Sequence, residues 1–172
     1  EGLGAQVQHY MSGAGEVVDY EVDVSARHTG GAFDGHGSRI APAASQGDLF
    51  DSNTYSLGGK LGFRIDADQR IQLAASHLRT HQKSDYASDP SVNKAPLGGA
   101  TARAIKGLQL EEQNQIENTL LSASYEDKDL AGSMLSAMVY GRDNYVRFVP
   151  SDSRTNTNRG NFVDQVMQNN KV

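Results

Sequence analysis

Apolar and polar side chains alternate along much of this chain, and the alternation is interrupted by short joints rich in Gly, Asp and Ser. From Tyr20, the residues Tyr20, Val22, Val24 and Ala26 share one face, while Glu21, Asp23, Ser25 and Arg27 share the other. Tyr55, Leu57, Leu61, Phe63 and Ile65 stand against Thr54, Ser56, Lys60 and Arg64 in the same way. Ile71, Leu73 and Ala75 oppose Gln72 and Ser76, and the pattern blurs at His77 and Leu78, where it admits a β-bulge. Leu121, Ala123 and Tyr125 oppose Ser122, Ser124 and Glu126, with Leu120 as a misfit; Leu135, Ala137 and Val139 oppose Ser136, Met138 and Arg142 less cleanly. The opening segment fits as well, with Leu3, Ala5, Val7 and Met11 opposite Gln6, Gln8 and Tyr10. A period of two describes these windows better than a helical stripe does, so the chain reads as a succession of β-strands.

The joints add a second regularity, because short and long ones take turns. Gly13–Glu16 is short and the stretch from about Thr29 to Asn53 is long; Asp66–Gln69 is short and the stretch from about Asp85 to Gln113 is long; Asp127–Gly132 is short and Pro150–Gly160 is long. A soluble sandwich has no reason to alternate in this way. An outer-membrane β-barrel does, since its periplasmic turns are short and its extracellular loops are long. On that reading, the segments 17–29, 70–85 and 133–149 run outward, 54–65 and 116–126 run inward, and 161–172 begins another inward strand. The expected architecture is all-β, an antiparallel transmembrane barrel seen in part, with about six full strands and a partial one. Membrane barrels need about eight strands or more, and open edges are not tolerated in lipid. Residues 1–172 are therefore expected to be one portion of a barrel domain.

Composition supports a wet interior. Hydrophobic residues are 37% of the chain and the mean hydropathy is -0.56, yet the order of the pattern is unlike a disordered segment. The absence of cysteine removes disulfides and thiolate metal sites. No apolar run is long enough for a transmembrane helix, which does not bear on barrel strands. Glu1-Gly2-Leu3-Gly4 is not a secretory leader, so the mature N-terminus is expected upstream. The net charge of -5 and the lack of a basic stripe with interleaved aromatics give no footing for nucleic acid.

Candidate chemistry is sparse. Of the five histidines, His9, His28, His36, His77 and His81, only the last two are near in sequence. On one strand face they would stand about 13 Å apart, too far to share a metal; no metal site and no resident cofactor is expected. No nucleophile motif or phosphate-cradling glycine loop is present, because Gly13-Ala14-Gly15 lacks the helix that would follow. Glu111-Glu112 and Asp127–Asp129 read as solvated charges. The chain is not expected to be an enzyme.

Several junctions resemble TonB-dependent ferric-siderophore receptors. They are Gly30-Gly31-Ala32-Phe33-Asp34-Gly35-His36-Gly37, Gln46-Gly47-Asp48-Leu49 leading into Asp51-Ser52-Asn53-Thr54, and the hairpin Ile65–Leu73. Ser84-Asp85-Tyr86 followed by Ala87–Val92 is similar to the start of a long extracellular loop in that family. Tyr140-Gly141-Arg142-Asp143 and Arg147-Phe148-Val149-Pro150 are similar to its next outward strand. The nearest subgroup is the ferric aerobactin (hydroxamate–citrate) receptors. The resemblance implies a barrel of about 22 strands, of which this chain would be roughly the second through the eighth. It also implies an N-terminal plug and TonB box, neither of which is found here, and energy from the TonB–ExbB–ExbD complex acting through that plug. The implied setting is the Gram-negative outer membrane, with lipid and lipopolysaccharide around the barrel and iron arriving already wrapped in its siderophore.

A ferric siderophore is bulky, often anionic and rich in carbonyl oxygens, so Arg and Tyr facing the vestibule suit it. Alternation turns Tyr140, Arg142 and Asn144 toward the lumen near the outer end of one strand, and Tyr86 and His81 sit at the exit of another. The competing reading is structural: lumen arginines commonly pair with carboxylates on neighbouring strands, and aromatics near the rim form the interfacial girdle. Tyr145 and Arg147 have the opposite parity, which suits girdle or lipopolysaccharide contact. Two other functions fit the strand pattern: a passive porin-like channel, distinguished by having no plug upstream, and a soluble all-β binding or adhesion module, distinguished by folding alone in water.

Overall fold

The computed structural model describes residues 2–41, 49–88, 104–106, 113–152 and 163–171. Among the described residues nine strands form: β1 (Ala5–Ala14), β2 (Val18–Thr29), β3 (Ser52–Arg64), β4 (Gln69–Gln82), β5 (Tyr86–Ser88), β6 (Ala104–Lys106), β7 (Gln115–Leu130), β8 (Ser133–Asp152) and β9 (Val163–Lys171). Seven of them make one open antiparallel sheet in the order β1-β2-β3-β4-β7-β8-β9, so every sheet neighbour is also the next long strand in the chain. β5 and β6 pair with each other as a small hairpin within the connection between β4 and β7, an element that the alternation did not announce.

The turns explain the up-and-down order. Asp66 closes the β3–β4 hairpin by accepting from the backbone N–H groups of Asp68 and Gln69 at 2.9 and 2.8 Å, an Asx-type turn. The β7–β8 connection is tighter than the six-residue joint expected. β7 continues through a bulge between Asp127 and Leu130, and the chain reverses at Ala131 and Gly132, with φ of 53° and 79°. Positive φ at both central residues is the hairpin geometry whose twist matches that of the flanking strands. The bulge allowed for at His77 and Leu78 is absent: β4 pairs with β3 residue for residue from Arg70 to Gln82. The blur there comes from the side chains, because Leu78 lies on the polar face and His77 on the apolar one. β8 also runs on to Asp152, past the loop exit expected at Pro150. Gln46-Gly47-Asp48 and Asp89-Pro90-Ser91-Val92 lie outside the described residues.

Register fixes the two faces. One row runs Tyr20, Leu61, Leu73, Ala123, Val139, and the next runs Met11, Val22, Gly59, Ala75, Leu121, Gly141. The opposite face carries Glu21, Lys60, Ala74, Ser122 and Tyr140, with Asp23, Gly58, Ser76, Leu120 and Arg142 in the adjoining row. Among the described residues each long strand packs only against its sheet neighbours, so the sheet there is a single layer. Among the described residues no hydrophobic side chain is buried, whereas Val7, Val24, Tyr55, Leu57, Leu73, Leu121 and Val139 all lie open on the apolar face. In water such a face would forfeit roughly 25 cal/mol for each Å² left uncovered.

The upper limit of the apolar face is not level across the strands. The last apolar side chain before the loop end is Ala26 on β2 and Tyr55 on β3, which share a row. On β4 and β7 it is Ala75 and Leu121, level with Val22, and on β8 it is Val139, level with Tyr20. From β2 to β8 the limit thus slips by about six residues, or ~20 Å, over four inter-strand steps of ~4.8 Å. That is a slope of roughly 45°, close to the tilt at which strands cross a bilayer in a closed barrel.

Candidate functional site

The polar face is held at its turn end by a charge cluster that spans three strands. Asp19 of β2 accepts from Arg70 of β4 at 2.7 Å, reaching over the intervening strand β3. This reach is open because Gly62 stands between them: a Cβ there would lie 2.3 Å from the Arg70 guanidinium and 2.6 Å from the Asp19 carboxylate. Arg64 lies 3.9 Å from the same carboxylate and donates to the carbonyls of Gly15 and Glu16 at 2.9 and 3.1 Å, tying the first turn to β3. Further up, Lys60 meets Glu21 at 3.3 Å and Gln8 donates to Asp23 at 2.8 Å. These cations already have carboxylate partners.

Arg142 differs. It rises from β8 opposite Leu120, between Tyr140 opposite Ser122 and Asn144 opposite Asn118. The structure thus places Tyr140, Arg142 and Asn144 together on one strand face. Asn118 and Asn144 meet at 3.1 Å, and the two orientations of the Asn118 amide give different networks. With its oxygen turned toward Arg142, Asn118 accepts from Nε at 3.1 Å and from a terminal nitrogen at 2.8 Å; the opposite orientation sets nitrogen against nitrogen, so the first is assigned. A neutral amide orients the guanidinium without cancelling its charge. Among the described residues no carboxylate lies within ion-pair distance of Arg142, and both it and Tyr140 are exposed. Such an arrangement suits capture of an anion with flat apolar surface. Arg27, near the loop end of β2 on the same face, is likewise exposed and without a carboxylate among the described residues. Its position in the alternation marked its face but not its lack of a partner.

Tyr86 has another role. The loop before β3 folds a short hairpin in which Ile40 N–H donates to the Ala32 carbonyl at 2.9 Å and Asp34 caps the turn through the N–H groups of His36 and Ser38. This hairpin presents Arg39, whose guanidinium lies 3.9 Å from the centre of the Tyr86 ring and 5.9 Å from that of Phe33. Arg39 also pairs with Asp51, which accepts the Ser84 hydroxyl as well. Ser84 N–H donates to the Gln113 side chain at 2.7 Å, and the Lys83 N–H donates to the Asp51 carbonyl at 2.9 Å. The two long connections are thereby fastened together, and Ser52, Thr80, Gln82, Ser84 and Asn114 are buried at the strand ends. The Tyr86 ring is one jaw of this fastening.

His81 stands apart from the rest. With no bulge in β4 it keeps the parity of Ile71 and Leu73 and pairs across to Asn53 and Gln115, on the apolar-face side of the sheet. It does not join Tyr140, Arg142 and Asn144.

The chain is similar to known receptors. It is 24% identical over 149 residues to the rhizobactin receptor of Rhizobium meliloti, covering 84% of this chain and 19% of that protein. It is 26% identical over 141 residues to the ferric aerobactin receptors of Klebsiella pneumoniae and Escherichia coli, covering 81% of this chain and 19% of each. The relatives are siderophore receptors, and the chain spans about a fifth of their length. No family model and no solved structure matches it.

Proposed function

We propose that this chain is a barrel segment of an outer-membrane receptor that takes up a ferric siderophore, with energy delivered by the TonB–ExbB–ExbD complex through a plug encoded elsewhere in the protein. The observation that carries this reading is a single-layer sheet with one open apolar face and one polar face, in a chain similar over four-fifths of its length to siderophore receptors. Lipid is the natural cover for the apolar face, and a water-filled vestibule is the natural neighbour of the polar one. Within that vestibule Tyr140, Arg142 and Asn144 are the proposed ligand contacts, with Arg27 a further cation on the same face. The ligand class we propose is a ferric siderophore of the kind that the relatives' names give, aerobactin or rhizobactin.

Deleting the gene for the full-length protein is expected to abolish uptake of radioactive iron from ferric aerobactin or ferric rhizobactin in an iron-starved strain. Collapse of the proton gradient is expected to stop the same uptake. Uptake that persists without the gradient would convert the reading into a passive channel, and uptake unchanged by the deletion would sink it. Arg142→Ala is expected to raise the apparent KM for uptake about tenfold, the effect of losing one charge-assisted hydrogen bond.

A further inference from the structure

Two departures from the alternation meet in space. Leu78 and Leu120 are aliphatic at positions of polar parity, and both stand on the polar face, 36% and 37% exposed. Leu78 pairs with Asn118, so its diagonal neighbours on β7 are Leu120 and Ile116. Val146 of β8 lies directly opposite Ile116, and Arg142 lies directly opposite Leu120. The four aliphatic side chains therefore ring the Asn118–Asn144 contact and the guanidinium of Arg142. On the same face, β2 and β3 carry no Leu, Ile, Val or Phe at all. The apolar departures are gathered around one cation.

The wall beside this ring is hollowed. Beyond Arg142 and Leu120, the next positions along the same row are Ser76 and Gly58. Together with Ala74 and Ser122, these small residues leave a hollow of about 220 Å³ against Leu120, closed on its far side by Glu21, Asp23 and Lys60. Two inter-strand steps, about 10 Å, separate Arg142 from Ser76. Aliphatic surface on a water-filled wall is stabilised by an apolar group that covers it. Arg142, for its part, is oriented by the neutral amide of Asn118 and meets no carboxylate among the described residues. The cover that matches both features is an anion carrying an apolar arm.

From this arrangement, and resting on the siderophore reading above, we infer that this wall selects ferric chelates that bear an aliphatic arm. An anionic oxygen pair of the chelate sits on the Arg142 guanidinium, whose plane Asn118 holds. The arm crosses Leu120, lies against Leu78 and ends in the hollow over Ser76. An arm of about 10 Å fills this path. Further on, the carboxylates of Glu21 and Asp23 would be stripped of water by an apolar group, which is unfavourable. The aliphatic ring also keeps water from the guanidinium, and a drier setting strengthens its bond to the anion. Leu78, Leu120 and Ser76 are thus the specificity-determining positions, while Arg142 supplies the charge.

The test uses the full-length receptor in mild detergent and two citrate–hydroxamate chelates loaded with radioactive iron. The two are identical except that one carries an octanoyl arm and the other an acetyl group; bound iron is counted after gel filtration. The receptor is expected to bind the octanoyl chelate about tenfold more tightly. L78N/L120N and S76F, which remove the apolar wall and fill the hollow, are each expected to bring this ratio to about one. R142A is expected to weaken both chelates about tenfold and to keep the ratio. Equal binding of the two chelates by the unaltered receptor overturns the inference, and so does a preference that survives both L78N/L120N and S76F. A patch covered by the protein's own chain gives a different result: L78N/L120N then lowers the melting temperature of the empty receptor and leaves the ratio alone, which also overturns it. Binding of neither chelate by the unaltered receptor sinks the siderophore reading itself, and is told apart from equal binding of both.

Discussion

Arg39 is the side chain on which the most local structure depends. Its guanidinium is nearly buried, stacked on Tyr86, paired with Asp51 and linked through that carboxylate to Ser84. Asp51 adopts a left-handed φ of 54°, a conformation that aspartate tolerates better than most residues and that turns its carboxylate back toward Arg39. Removing the cation leaves Asp51 partly buried with only the Ser84 hydroxyl, and breaking such pairs is costly, about 3–5 kcal/mol for fully buried ones. Because the cluster lies in connections outside the seven-stranded sheet, the loss should be local. Arg39→Ala is expected to speed hydrogen exchange at the Ile40 and Lys83 amides by tenfold or more while leaving the strand amides of β3 and β4 unchanged. Arg39→Lys is expected to rescue little, since an ammonium cannot stack as a plane on Tyr86. Equal protection in all three proteins would show that the two connections hold themselves. A second residue-scale consequence concerns Gly62, whose missing Cβ opens the path between Asp19 and Arg70. Gly62→Ala is expected to displace that pair and lower the protein's urea midpoint by the equivalent of about 1 kcal/mol, an effect that should vanish in an Asp19→Asn background.

At the scale of strands, parity decides what a substitution costs. Leu73 and Ala74 are neighbours in sequence, but Leu73 faces out with Leu61 and Ala123 while Ala74 faces Lys60 and Ser122. Arginine at Leu73 is expected to cost about 2–4 kcal/mol in lipid-refolded protein, and arginine at Ala74 less than about 1 kcal/mol. Similar costs at the two positions would contradict the assignment of faces. This level of organisation was legible before any coordinates, because each face is written into every second residue and each short turn carries its own chemistry, as at Asp66. The parity of Arg142, Tyr140 and Asn144 was legible for the same reason. Three things were not. The face of His81 follows only from an unbroken β4, which keeps it on the side of Ile71, and an imidazole gives no clue to parity on its own. The stacking of Arg39 on Tyr86 is invisible locally, because the two lie far apart in the chain. That no carboxylate pairs with Arg142 among the described residues depends on which residues the register sets beside it, Leu120 and Asn118, and register across a connection as long as that between β4 and β7 is a tertiary property.

For the molecule as a whole, the decisive geometry is the slant of the apolar limit across the sheet. Val24, Leu57, His77, Thr119 and Asp143 form one continuous row of cross-strand neighbours, yet the row begins with two aliphatic side chains and ends with a carboxylate. In a sheet whose strands stood upright in the bilayer, all five would lie at one depth, and Asp143 would sit among acyl chains at a cost of some kcal/mol. With strands tilted by about 40°, the row climbs: four inter-strand steps of ~4.8 Å lift its far end by roughly 12 Å, enough to carry Asp143 from the hydrocarbon to the headgroups. The absence of cysteine from this stretch makes the prediction direct to check. Nitroxide labels on single cysteines at Val24, Leu57, Thr119 and Asp143 of the full-length protein in vesicles should report progressively less contact with oxygen and more with a water-soluble nickel chelate. The change should be monotonic along the row and amount to about 12 Å between its ends. Equal depths would mean upright strands and would remove the argument that this sheet curves into a closed barrel, because tilt and stagger are what closure requires.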